Sequence, residues 1–267
     1  MLDIGSILLA LFGFTVFSTG IVITKAGGAW LKWEGKKTGA YFKSMAIWLG
    51  GFIAYNVAVI PNAIASKSLP PYIISAISGW GIVVIVIMSY LILKEKLFLS
   101  DFIYSILMVA AIFALSLLDK ATAATEINQV AFYIMLALPL LLLIPLLIKS
   151  LDSKPRAILL AIFAGSTGGL ALVIMNVVVK SLGYDIFSYF NTPYPYLYLL
   201  VGVAQFVTLQ MAMRHGSMIL VGPLQNALMI LYPVACSYFI FGASLGVIQL
   251  LMIAVIVFCC VAILRKH

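Results

Sequence analysis

Five carboxamide side chains, Asn56, Asn176, Gln205, Gln225 and Asn226, fall inside long apolar runs. A carboxamide offers two N–H donors and an acceptor oxygen. Deep in an apolar run it serves either as a bond between helices or as a contact for a polar solute. Thr15, Ser18, Tyr55, Ser75, Ser78, Trp80 and Thr208 lie at comparable depth. Hydroxyls can satisfy themselves on the carbonyl one turn back, so Asn and Gln are the stronger candidates for solute contact. The acids are placed differently. Asp3, Glu34, Glu95, Asp101, Asp119, Glu126, Asp152 and Asp185 all sit at the ends of apolar runs or between them. No acid pair lies within a run, no His/Cys cluster is present, and no Gly-rich phosphate loop is found. Enzyme chemistry is therefore not expected, nor a cofactor. His215 falls in a turn and His267 is the last residue, while Cys236, Cys259 and Cys260 read as buried thiols. A site in this chain must be built from neutral polar groups, aromatic faces and backbone carbonyls.

The elements that position these groups are membrane helices. The chain is 64% hydrophobic and 9% charged, with a mean hydropathy of +1.19. Soluble domains carry about 25% charged residues. Nine apolar runs are long enough to cross a bilayer: about 4–25, 44–66, 71–93, 98–118, 127–148, 157–180, 194–213, 217–241 and 245–264. Short polar or Pro/Gly-bearing connections join them, which leaves a single membrane domain over 1–267. No signal peptide is expected ahead of the run at Ile4. The segment "KAGGAWLKWEGKKTGAYFK" sets Trp30 and Trp33 among lysines and is expected to lie along the interface. Pro61, Pro139 and Pro145 read as kinks, and Gly165, Gly168 and Gly169 as close-packing positions.

Placing Lys and Arg on alternating sides divides the 16 positives into 13 and 3. The rich side belongs in the cytoplasm, so the N-terminus is expected outside and the C-terminus inside. The net charge of +8 is thereby an orientation signal, and no nucleic-acid partner is expected.

The peptide "SYLILKEKL" at Ser89 returns as "SYFIFGASL" at Ser237, 148 residues later. The match extends without a gap over three spans, setting Asn62 over Gln210, Ser78 over Asn226 and Asp101 over Gln249. Lys25, closing the first span, is matched more loosely by Lys180 in the sixth. An odd number of spans separates the copies, so their orientations are opposite. The turn that keeps Lys94 and Lys96 faces the cytoplasm, and its neutral copy at Gly242 faces outside. The expected fold is all-α: a polytopic bundle of about nine transmembrane helices with an inverted repeat. Spans one to four (1–120) pair with six to nine (151–267), and the fifth (121–150) links them. Inverted repeats are a mark of secondary transporters.

The lysine closing the first span, the Pro-containing third span ending in "LKEKL" and the polar residue opening the next resemble the drug/metabolite transporter superfamily. The nine-span count looks like its NIPA branch, described as magnesium transporters. So do "WLGGFIAYNVAVIPNAIASKSLPPYIISAISG", "AGSTGGLALVIMNVVVKSLG" and "FSYFNTPYPYLYLLVGVAQFVTLQMAMRHGSMILVGPL". The resemblance spans nearly the whole chain and implies transport of a small polar solute or a cation such as magnesium. In that branch the second span carries an acid near its middle; this chain reads Ile53-Ala54-Tyr55-Asn56 there. The expected site centres on Ser78 and Asn226, with Asn56, Gln205, Gln225, Asn176, Tyr55, Ser75 and Trp80 as further candidates and no metal ligand set assigned. The expected partners are the bilayer and a small-molecule or cation substrate, with a homodimer left open. An organic metabolite or drug exporter of the same superfamily and a non-transporting, lipid-handling or structural membrane protein stand as alternatives.

Overall fold

The computed structural model describes residues 4–32, 38–65, 69, 77–118, 128–146, 151–182, 191–242 and 246–266, and their regular structure is all helical. In chain order the helices are α1 Ile4–Gly27, α2 Gly39–Val57, α3 Val59–Ala65, α4 Trp80–Leu93, α5 Leu99–Leu118, α6 Gln129–Ala137, α7 Leu143–Leu146, α8 Ser153–Leu182, α9 Tyr194–His215, α10 Met218–Phe241 and α11 Val247–Lys266. Short 3-10 turns, Gly28–Lys32 and Leu138–Leu142, follow α1 and α6. Among the described residues seven helical segments are long and apolar enough to cross a bilayer, and Trp80–Leu93 and Leu99–Leu115 are shorter apolar helices. The chain is a multi-pass integral membrane protein.

Prolines explain where the expected spans break. A helical proline clashes with the carbonyl four residues back. For Pro61 that carbonyl belongs to Val57, where α2 ends before α3 begins at Val59. The second span, expected over 44–66, thus starts earlier, at Gly39, and is interrupted at Ala58. The fifth span is broken in the same way, by the 3-10 turn that carries Pro139 near its start.

Two compact units divide the chain. The first comprises Met1–Lys120, Ser217–Pro223 and Val247–His267. Its seam is the antiparallel packing of α1 on α2 and α3, set by Gly13, Gly20 and Gly27 at seven-residue intervals. A methyl group added at Gly20 would lie 2.6 Å from the Tyr55 backbone nitrogen, and one at Gly27 would lie 2.2 Å from that of Trp48. Only glycine lets two backbones come this close, and small-residue seams of this kind drive helix association in lipid. On α4, Gly81 faces the Ser18 hydroxyl, and Ile82–Val86 is wholly buried. The helix α11 packs on α5, with Tyr104 edge-on to Phe258 and Lys266 bonded to the Ser100 hydroxyl.

The second unit comprises Ala121–Gly216 and Leu224–Gly246. Here α8 presents Gly165, Gly168 and Gly169 to Gln205 of α9 and to the stretch 225–233 of α10. Phe132, Leu170, Ile174, Val201, Tyr232 and Ile240 are among its apolar core. The Tyr232 hydroxyl donates to the Met135 carbonyl, and the Asn128 N–H donates to that of Ile240 at 3.0 Å. The helix α10 begins in the first unit and continues in the second.

Two helix ends share a conformation. Lys94, which caps α4, and Gly242, just after α10, have φ of 55° and 64° and are the positive-φ residues among those described. Likewise α5 and α11 are both 20 residues long.

Candidate functional site: a buried carboxamide and thioether cluster

The second unit brings two of the sequence candidates together at mid-helix. Gln205 lies at the middle of α9, Gln225 in the third turn of α10 and Met229 one turn beyond it. Gln225 is fully buried and Gln205 is 8% exposed. The Gln225 Nε2 donates to the Met229 sulfur at 2.9 Å, and the Gln205 Nε2 approaches the same sulfur at 3.6 Å. A methyl at Gly168 would meet Gln205 Nε2 at 2.6 Å and Met229 Cγ at 2.9 Å, so a glycine at that point of α8 is what admits the amide. The nearby Thr167 and Thr208 hydroxyls turn back to carbonyls of their own helices, Thr167 to Phe163 at 2.8 Å and Thr208 to Ala204 at 2.6 Å. One polar atom is left over: Gln225 Oε1 is buried and has no hydrogen-bond partner.

The cluster carries no charge. α8, α9 and α10 contain no Asp or Glu, and their basic residues lie at the helix ends. Among the described residues no three of His, Cys, Asp and Glu come together to hold a metal.

The other candidates are distributed as follows. Asn226 is buried in the second unit, beside Gln225 in the chain. Ser78 is half-buried in the first unit. Asn56 is exposed and its amide donates to the Phe52 carbonyl at 2.8 Å, a self-satisfied arrangement. Tyr55 lies with its ring 4.5 Å from that of Phe17. Trp80 is 38% exposed, and its indole N–H donates to the Thr15 hydroxyl at 3.0 Å. Ser18 is buried without a partner for its oxygen. Ser75 and the Asn176 side chain lie outside the described residues.

A second constellation, in the first unit, is one that the reading of the sequence placed only as a charged turn. Glu95 follows α4 and its carboxylate meets Lys25 at the end of α1, Nζ to Oε1 at 2.7 Å, with both side chains about 15% exposed. The same carboxylate accepts the Met218 N–H at 2.8 Å and the Ile219 N–H at 3.0 Å. It thus caps the start of α10, where the free N–H groups and the helix dipole favour an anion. Four residues after Ile219 stands Pro223, which has no N–H to return to the Ile219 carbonyl. A signal for this contact did exist: the alternating-side count puts Lys25, Glu95 and the start of α10 on one face of the membrane. Met229 had no such signal, because a methionine in an apolar run reads as filler.

Fold and site together define a multi-pass helical membrane protein with an uncharged polar cluster in one of its units. Comparison of the chain with protein-family models, with curated proteins and with solved structures finds no match.

Proposed function

We propose that the chain is a multi-pass secondary transporter that carries a small polar solute or a cation across the membrane by alternating access. The observation that carries this reading is the Gln205, Gln225 and Met229 cluster. Uncompensated polar atoms in hydrocarbon-embedded helices are costly, and they mark solute pathways more often than lipid-facing surfaces.

An inverted repeat fits the described helix bounds. Leu99 to Val247 and Leu118 to Lys266 are each 148 residues apart, as are the positive-φ residues Lys94 and Gly242. Gly13 and Gly168 each stand 12 residues before the lysines Lys25 and Lys180. Such repeats support rocking of two related halves around a site. The drug/metabolite transporter resemblance points the same way, and the partition of Lys and Arg favours an N-terminus outside. The test is uptake and efflux in proteoliposomes with magnesium against a panel of amino acids, nucleosides and organic cations. Movement of at least one solute, saturable and abolished by heat denaturation, is expected. No movement of any solute would favour a structural or lipid-handling role.

A further inference from the structure

Resting on the transport reading, we infer that Gln225 is the residue that selects the substrate, and that the substrate is an uncharged polar solute presenting an N–H or O–H donor. The argument starts from the two amide groups. Both Nε2 atoms are directed at one acceptor, the Met229 sulfur. This fixes the Gln225 amide plane and leaves its oxygen oriented but unsatisfied, on a side chain with no exposure at all. A buried acceptor without a donor is destabilising, and such orphans are few in native proteins and call for a missing partner. A donor on a solute would supply it.

Charge decides the class of that solute. A divalent cation takes six or more hard oxygen ligands, carboxylates prominent among them. The three helices that form the cluster carry no carboxylate. The thioether is a soft ligand, and it already receives both amides. A bare ion, or any net charge, would stand in the apolar interior with no counter-charge. A neutral donor meets none of these penalties.

The test is counterflow into proteoliposomes of the full chain with four radiolabelled or isotopic probes: uridine and glucose as neutral donors, methylammonium and Mg2+ as charged ones. Each protein is also melted in detergent. Wild-type chain is expected to move a neutral probe and neither charged one. Gln225→Leu is expected to lower neutral counterflow at least tenfold while melting at the same or a higher temperature, because the substitution removes an unsatisfied atom. Gln225→Glu keeps the side-chain shape and is expected to admit methylammonium. Neutral transport unchanged in Gln225→Leu overturns the inference. So does a Gln225→Leu chain that melts several degrees lower as it loses transport, since that is a structural residue. Wild-type movement of Mg2+ or methylammonium overturns it too, while leaving the transporter reading intact. Wild-type vesicles that move none of the four probes overturn the inference, and the transporter reading falls with it only when the wider panel of amino acids, nucleosides and organic cations is not moved either.

Discussion

Lys94 holds a backbone conformation that L-residues avoid. Its φ of 55° ends α4, where glycine is the usual choice. A non-glycine residue in this region costs roughly 1–2 kcal/mol. Gly242 makes the corresponding turn after α10 without that strain. Lys94→Gly is accordingly expected to stabilise the chain by about 0.5–1 kcal/mol, once the added freedom of the unfolded glycine is subtracted. Thermal melting in detergent reads this, and a lower melting temperature contradicts it. The next residue carries a larger penalty. Glu95→Gln strands the largely buried Lys25 ammonium and leaves one of the two α10 N–H groups unpaired, a loss of about 3 kcal/mol for a pair this enclosed. The double variant Lys25→Met with Glu95→Gln is expected to recover part of that loss, which distinguishes the ion pair from the cap. Both residues were visible in the sequence as charges near apolar runs. The alternating-side count put them on one face, but their pairing was not legible, because 70 residues separate them and no local pattern encodes a contact of that range.

Among the elements, the α1 to α2 seam has the least tolerance. Gly20→Leu would drive a side chain into the Tyr55 and Gly51 backbone, which cannot move aside as a side chain can. A cost of about 3 kcal/mol or more is expected, seen as loss of the monodisperse peak in size-exclusion chromatography. Gly50, one residue before Gly51, faces open space. Gly50→Ala is therefore expected to leave the elution profile unchanged, and equal damage from both variants would show that the seam is not the cause. Helix existence was legible, since long apolar runs in a chain this hydrophobic have no alternative. Helix ends were less so. The break in the second span was legible as a kink at Pro61, whereas its exact place, after Val57, and the early start at Gly39 were not. The cluster was half legible: Gln205 and Gln225 stood out as amides in apolar runs, whereas the sulfur that orients them did not.

At the scale of the whole molecule, the partition of Lys and Arg makes orientation testable. Cysteine labelling beside Asp3 is expected from the outer face, and beside Lys266 from the cytoplasmic face. Labelling of both from one face would undo the odd span count and the inverted repeat with it. Moving Lys-Glu-Lys into positions 242–244 is expected to reduce insertion, because in the proposed orientation it would place two positives on the outer side. Unimpaired insertion in a membrane-fraction blot would count against the repeat. The division into two units could not be read from the chain, since each is assembled from segments distant in sequence.

That division sets an order of events during synthesis. The first unit includes residues from the start of the chain, the opening of α10 and the whole of α11. α5 is made well over a hundred residues before α11, the helix that packs against it. Until then the face of α5 around Tyr104 lacks the partner that brings Phe258 to it. A chain stopped before Val247 would consequently show its defect at the opposite end. Protease sensitivity should rise in the connection that leads into α5, around Lys96 and Phe98, rather than in the helices just upstream of the cut.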